Sequence, residues 1–165
     1  MTKINNFYLK SMKNIIILYI LLIINSCTPL STISIPYNYM EYNLIRFNDM
    51  LLIDILLNDN RAKLLIDTGA SKCILDINKS EQYGFKYIPF LTNKYIGIGG
   101  LTDIYVIYDY NIDLFHVSFV GADLSEINEY FKKDGYLIVG IIGSDFLNKN
   151  GAIIDYRTNK LYMIK

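Results

Sequence analysis

The chain has 165 residues, a hydrophobic fraction of 52% and a formal net charge of zero. A length of this order, with a leader set aside, holds one ordinary domain, and no basic run is long enough to track a phosphate backbone, so nucleic acid is excluded as a partner. Abundant Ile, Val, Tyr and Phe with only three prolines favour strands and predict an all-β or β-rich domain.

Lys3, Lys10 and Lys13 precede an unbroken apolar run from Ile15 to Ile24, followed by Asn25, Ser26 and Cys27. A basic segment, an apolar segment and small residues before a cleavage point describe a secretory signal over residues 1–26. The run is shorter than the roughly 20 apolar residues that a membrane-spanning helix needs. Cys27 stands where a bacterial lipoprotein signal places its lipidated cysteine, although Asn25 is large for its position; an uncleaved signal anchor and plain secretion are the other readings. Lipidation at Cys27 implies a membrane-anchored protein of the bacterial cell envelope, facing the periplasm or the exterior. Residues 27–43 contain Pro29 and Pro36 among Ser and Asn without periodicity, and read as a tether. The folded domain is therefore expected over residues 44–165. Cys73 is then the only other cysteine, which excludes a disulfide framework and reads as a small buried hydrophobe.

Leu51 to Leu57 and Ala62 to Ile66 are strand-like runs around Asn58-Asp59-Asn60-Arg61, a β-hairpin pattern. The hairpin leads directly into Leu64-Leu65-Ile66-Asp67-Thr68-Gly69-Ala70-Ser71, where an apolar run delivers one carboxylate into a tight Thr-Gly turn. Lys72 to Leu75 resumes an extended pattern. Asp76 is a candidate N-cap and Gly84 a candidate stop for a short helix over Ile77 to Tyr83. Tyr95-Ile96-Gly97-Ile98-Gly99-Gly100 suits a hairpin tip or a surface turn, and matches no phosphate-binding loop.

Asp103 to Tyr110 and Ile112 to Val120 are long strand candidates, the second with Phe115, Val117 and Phe119 alternating with Leu114, His116 and Ser118. His116 is the only histidine. No His/Cys/Glu cluster stands at ligand spacing and no nucleophile-elbow serine is present, so His116 reads as an ordinary strand residue, and neither metal nor cofactor is expected. Asp123 and Glu126 resemble a capping box for a short helix whose face carries Leu124, Ile127 and Phe131. Tyr136 to Ile142 reads as a buried strand that ends in Gly143 and turns into a short helix capped by Ser144 or Asp145. Ala152 to Tyr156 and Lys160 to Ile164 predict a final hairpin.

With Asp67-Thr68-Gly69 and Ile141-Ile142-Gly143-Ser144-Asp145-Phe146-Leu147 in this order, the stretch from Leu51 to Ile164 resembles the single-domain, retropepsin-like aspartic proteases. That resemblance implies an all-β half-barrel with one or two short helices. It implies that Asp67, Thr68 and Gly69 form half of a catalytic site, supported structurally by Ala70, Ser71, Ile142 and Gly143. Ile96, Gly97, Ile98, Gly99 and Gly100 then correspond to the flap over an extended peptide substrate. Aspartic proteases use two carboxylates that share one proton and hold a water between them. Asp145 lacks the Thr-Gly turn and suits a first helical turn, so the second carboxylate is expected from a second copy of the chain, across a two-fold axis. A catalytically inactive, lipid-anchored module that binds peptides or proteins is the alternative within the same fold.

Overall fold

The structure, a computed structural model, describes residues 34–97, 100–112 and 117–165. The leader with Cys27, the tip residues Ile98 and Gly99, and Leu114, Phe115 and His116 lie outside the described residues.

The predicted hairpin forms from β3 (Met50–Leu57) and β4 (Asn60–Ile66) in antiparallel register, with Leu57 opposite Asn60. The tetrapeptide expected at its turn is a two-residue loop, because Asn58 and Asp59 both take positive φ (46° and 63°). That conformation matches the right-handed twist of the flanking strands, and Asn and Asp tolerate it. Asn58 is also anchored sideways: its Nδ2 donates to the Tyr83 carbonyl and its Oδ1 accepts the Asn111 N–H.

Alternation along these strands divides the interior in two. Leu51, Ile53, Ile55 and Leu57 of β3, with Ala62, Leu64 and Ile66 of β4, enter the larger core. Leu52 and Leu65 point the other way into a smaller cluster with Phe47, Leu124, Phe131, Ile138 and Ile141. Both faces of the hairpin are therefore covered at the end nearest Asp67, whereas Asp54 and Leu56 are exposed at the far end.

β2 (Ile45–Phe47) borders β3. β5 (Cys73–Asp76) is followed by a 3₁₀ turn (Ile77–Lys79) and α1 (Ser80–Tyr83). As predicted, Asp76 caps the turn by accepting the Asn78 N–H, and Gly84 ends the helix at φ 72°. β6 (Lys86–Gly97) and β7 (Gly100–Tyr108) form a long antiparallel pair closed by Gly97 opposite Gly100. The register shifts between Ile88 and Thr92, around Pro89, Phe90 and Leu91. A proline has no N–H for a ladder, and β6 is an edge strand, where such a bulge is tolerated.

The long strand expected over Ile112 to Val120 shrinks to β8 (Phe119–Ala122), with Ile112 making one isolated bridge to Leu57. β7 ends at Tyr108 rather than Tyr110 because Asp109 turns the backbone at φ 57°. α2 (Ser125–Lys132) buries Phe131, with Ile127 partly buried and Leu124 buried just before its first residue, but Asp123 lies one residue too early for the expected capping box. Its carboxylate instead accepts the Ser125 N–H and hydroxyl in a turn that leads into the helix. These bonds, with one from Asn78, hold the Asp123 carboxyl below its usual range.

The strand expected from Tyr136 contracts to β9 (Gly140–Ile142). Residues 136–139 are irregular because their backbone groups bond to other partners. Ile138 exchanges both backbone groups with the Asn128 side chain, and Val139 bonds to Lys63 and Asp76. α3 (Ser144–Lys149) follows, and β10 (Ile153–Asp155) and β11 (Lys160–Ile164) complete the predicted hairpin.

One expectation on domain organisation is corrected. Tyr39–Asn43, read as tether, form strand β1, which pairs with β11 along five residues from Tyr39↔Ile164 to Asn43↔Lys160. The compact unit begins at Pro36. β1 lacks a clean apolar period because only one face of this small sheet is buried, through Leu161 and Met163 of β11. The two sheets run β1-β11-β10 and β2-β3-β4-β9-β5-β8-β7-β6. The fold is all-β, with three short helices among the described residues.

Candidate active site

Asp67 follows the last residue of β4, and Cys73 opens β5, yet these strands are not neighbours: β9 lies between them, parallel to β4 and antiparallel to β5. The six residues from Asp67 to Lys72 must therefore pass across the end of β9. The passage of β9 between β4 and β5 and beneath this loop explains two glycines. A Cβ on Gly143 would stand 2.4 Å from the Lys72 carbonyl oxygen and 2.9 Å from that of Ala70. A Cβ on Gly140 would stand 2.3 Å from the Ile74 carbonyl oxygen. Neither contact is sterically possible, so only glycine fits between the crossing segments.

The loop is tied to β9 and α3 by its backbone. Asp67 N–H donates to the Ile142 carbonyl at 3.0 Å. The Ala70 carbonyl accepts both the Ser144 N–H at 2.7 Å and the Ser144 hydroxyl at 2.9 Å. The Asp67 Oδ1 accepts the Gly69 N–H at 2.8 Å, which curls the loop around its own carboxylate. Asp67 is half-buried; Thr68, Gly69 and Ser71 are exposed. A carboxylate held at one oxygen by a backbone donor, at the rim of a buried strand, can accept a proton from water or from a ligand.

The sequence-predicted residues meet here in part. Asp67, Thr68, Gly69, Ala70, Ile142 and Gly143 share the crossing, and Ser71 sits on the same loop. Ala70 is half-buried against the smaller core. Thr68 borders a cavity of about 330 Å³ that Ser144, Leu147, Ala152 and Ile154 also line. Ile96, Gly97 and Gly100 lie at the end of the β6–β7 hairpin.

The helix cap differs from expectation. Gly143 is the N-cap of α3, in extended conformation, and neither Ser144 nor Asp145 caps it. The Ser144 hydroxyl is already committed to Ala70. Asp145 stands in the first turn, where a negative charge suits the helix dipole.

Sequence reading missed Gly140 and the connections of Cys73. The Cys73 thiol is fully buried, accepts the Gly143 N–H at 3.2 Å and lies 3.4 Å from Asp145 Oδ1. Burial, above all, pushes its pKa up to about 12, and the Asp145 charge adds to the effect. Gly140 stood in the sequence three residues before Gly143, but nothing local reveals that a strand must pass between two others.

No family model and no curated protein sequence matches the chain. Among solved structures, the chain is similar to a retropepsin-like aspartic protease from Rickettsia conorii, at 21% identity and TM-score 0.45, over 76% of this chain and 90% of that one. It is similar to the EIAV protease complexed with the inhibitor HBY-793, at 20% identity and TM-score 0.40, over 64% of this chain and 93% of that one. It is also similar to the retroviral protease-like domain of Ddi1 from Leishmania major, at 20% identity and TM-score 0.42, over 69% and 87% of the two chains.

Proposed function

We propose that the protein is an aspartic endopeptidase, in which two copies of Asp67, one from each chain of a homodimer, activate a water to hydrolyse a peptide bond. The observation that carries this reading is the Asp67 loop itself: an Asp-Thr-Gly turn, threaded by β9 and pinned through Ile142 and Ala70. One such turn per chain supplies one carboxylate. Two carboxylates that close cannot both ionise cheaply, so one proton is shared between them. The ionised carboxylate takes a proton from the water as its oxygen attacks the scissile carbonyl. The protonated one donates to the carbonyl oxygen, and collapse of the tetrahedral intermediate returns a proton to the leaving amine.

Thr68, exposed beside Asp67, is suited to a bond across the two-fold axis. The β6–β7 hairpin is suited to close over an extended peptide held as an added strand. The leader over residues 1–26, followed by Cys27, supports lipid attachment and a place in the cell envelope.

The full chain, solubilised in detergent, is incubated with casein and with peptide mixtures at acidic to neutral pH, with and without pepstatin. Cleavage abolished by Asp67→Asn supports the reading. Cleavage that persists unchanged in that variant overturns it. A protein that stays monomeric at every concentration, binds extended peptides and leaves them intact is instead a binding module of the same fold.

A further inference from the structure

Asp145 has no part in the chemistry just described, yet its carboxylate stands where three segments meet. Its Oδ1 lies 3.4 Å from the Cys73 thiol, at the start of β5, and accepts the Phe146 N–H of α3 at 2.8 Å. Its Oδ2 lies 3.9 Å from the ammonium of Lys72, the last residue of the Asp67 loop. The same thiol accepts the N–H of Gly143, at the turn from β9 into α3. A continuous chain therefore runs from the Gly143 N–H through the Cys73 S–H to Asp145.

The Asp67 loop is attached to the β9–α3 turn at its entry, its middle and its exit. Its entry is held by Asp67 N–H to Ile142 and its middle by Ser144 to the Ala70 carbonyl. Its exit is held by side chains, Cys73 and Lys72, and both lead to Asp145. We propose that Asp145 is a positioning residue: it holds the exit of the loop against α3 and thereby fixes where the Asp67 carboxylate stands. A buried thiol that keeps its proton up to about pH 12 remains a donor to Asp145 at every working pH. Of the two links, the thiol matters more, because the Lys72 pair is long and half-exposed, and such pairs contribute little.

This inference rests on the protease reading, and its test separates the two. In Asp145→Ala, kcat on casein falls about 10- to 100-fold while KM stays within about threefold, since the loop shifts and the peptide contacts do not. Asp145→Asn keeps an acceptor for Cys73 and Phe146 and restores most of kcat. The double variant Cys73→Ala/Asp145→Ala loses less kcat than the two single losses multiplied together, because both remove the Cys73–Asp145 link. Independently of activity, amide hydrogen exchange at 69–72 quickens in Asp145→Ala, with β1 and β11 unchanged.

Unchanged exchange at the loop overturns the proposal, as does exchange that quickens everywhere, which marks a general loss of stability. An active wild type with unaltered kcat in Asp145→Ala also overturns it. A wild type that cleaves nothing overturns the protease reading alone, and exchange then decides the role of Asp145.

Discussion

At the scale of single residues, the crossing of β9 beneath the Asp67 loop sets the tolerances. Gly143→Ala would force a Cβ against the Lys72 and Ala70 carbonyls, both backbone atoms that cannot rotate away. The expected cost is about 3 kcal/mol or more, read as a lower urea midpoint, with loss of any activity. Asp67→Asn should behave oppositely. Asp67 is half-buried at the rim, and the amide oxygen can still accept the Gly69 N–H. Stability should stay within about 0.5 kcal/mol while cleavage disappears, so the pair of variants distinguishes scaffold from chemistry. At this scale the Asp-Thr-Gly segment was legible as a turn that carries a carboxylate, because adjacent residues form it. Cys73 was legible only as a buried small residue: its partner Asp145 lies 72 positions away, and no local pattern connects them.

At the scale of elements, α2 is held by a part-buried polar connection through Asn128. Asn128 donates to Asp76 Oδ2 and to the Ile138 carbonyl, and its own oxygen accepts the Ile138 N–H. Asp76, almost fully buried, accepts further bonds from Asn78 and from the Leu124 N–H. Asn128→Ala removes three bonds from part-buried groups, and should cost about 2 kcal/mol, since each unsatisfied buried group costs roughly 1–3 kcal/mol. Urea denaturation checks the value, with Glu129→Ala at the exposed face of α2 as the reference. The β3–β4 turn gives the contrasting case. Asp59→Gly should raise stability by about 0.5–1 kcal/mol, because glycine takes positive φ without strain. Asn58→Gly should lower it, because Asn58 bonds to Tyr83 and Asn111.

Strands with one buried face, such as β11, and helices with an apolar stripe, such as α2, were readable because their period is written locally. The cap of α3 and the extent of β9 were not. Ser144 and residues 136–139 carry the right types for a cap and a strand, but they are drawn to the Ala70 carbonyl and to Asn128.

At the scale of the whole molecule, two consequences follow. Removal of β1 leaves β11 without its five-residue partner and exposes the sheet that buries Leu161 and Met163. A chain started at residue 44, the boundary suggested by composition, should therefore be markedly less stable than one started at Pro36, by thermal unfolding. The second consequence concerns alkaline pH. The Cys73 thiol titrates near 12 in the folded protein against 9.0 when unperturbed, and burial raises Tyr83 in the same sense. Above pH 9 the unfolded chain loses the thiol proton that the folded one keeps. The stabilisation is thus complete below about pH 9 and declines as pH rises towards 12. Cys73→Ala should flatten that decline, measured as urea midpoint against pH.

By itself the sequence determined the period of each strand, the turn residues, the apolar stripe of α2 and the Asp-Thr-Gly carboxylate. All of these depend on residues within a few positions of one another. Tertiary structure alone decided that β1 belongs to the folded unit, that β9 passes between β4 and β5, and that Gly140 and Gly143 must lack a side chain. It also brought Asp145 to Cys73. These features arise where segments distant in sequence compete for the same space and the same hydrogen bonds, and steric exclusion between backbones leaves no periodic trace in the residues that yield to it.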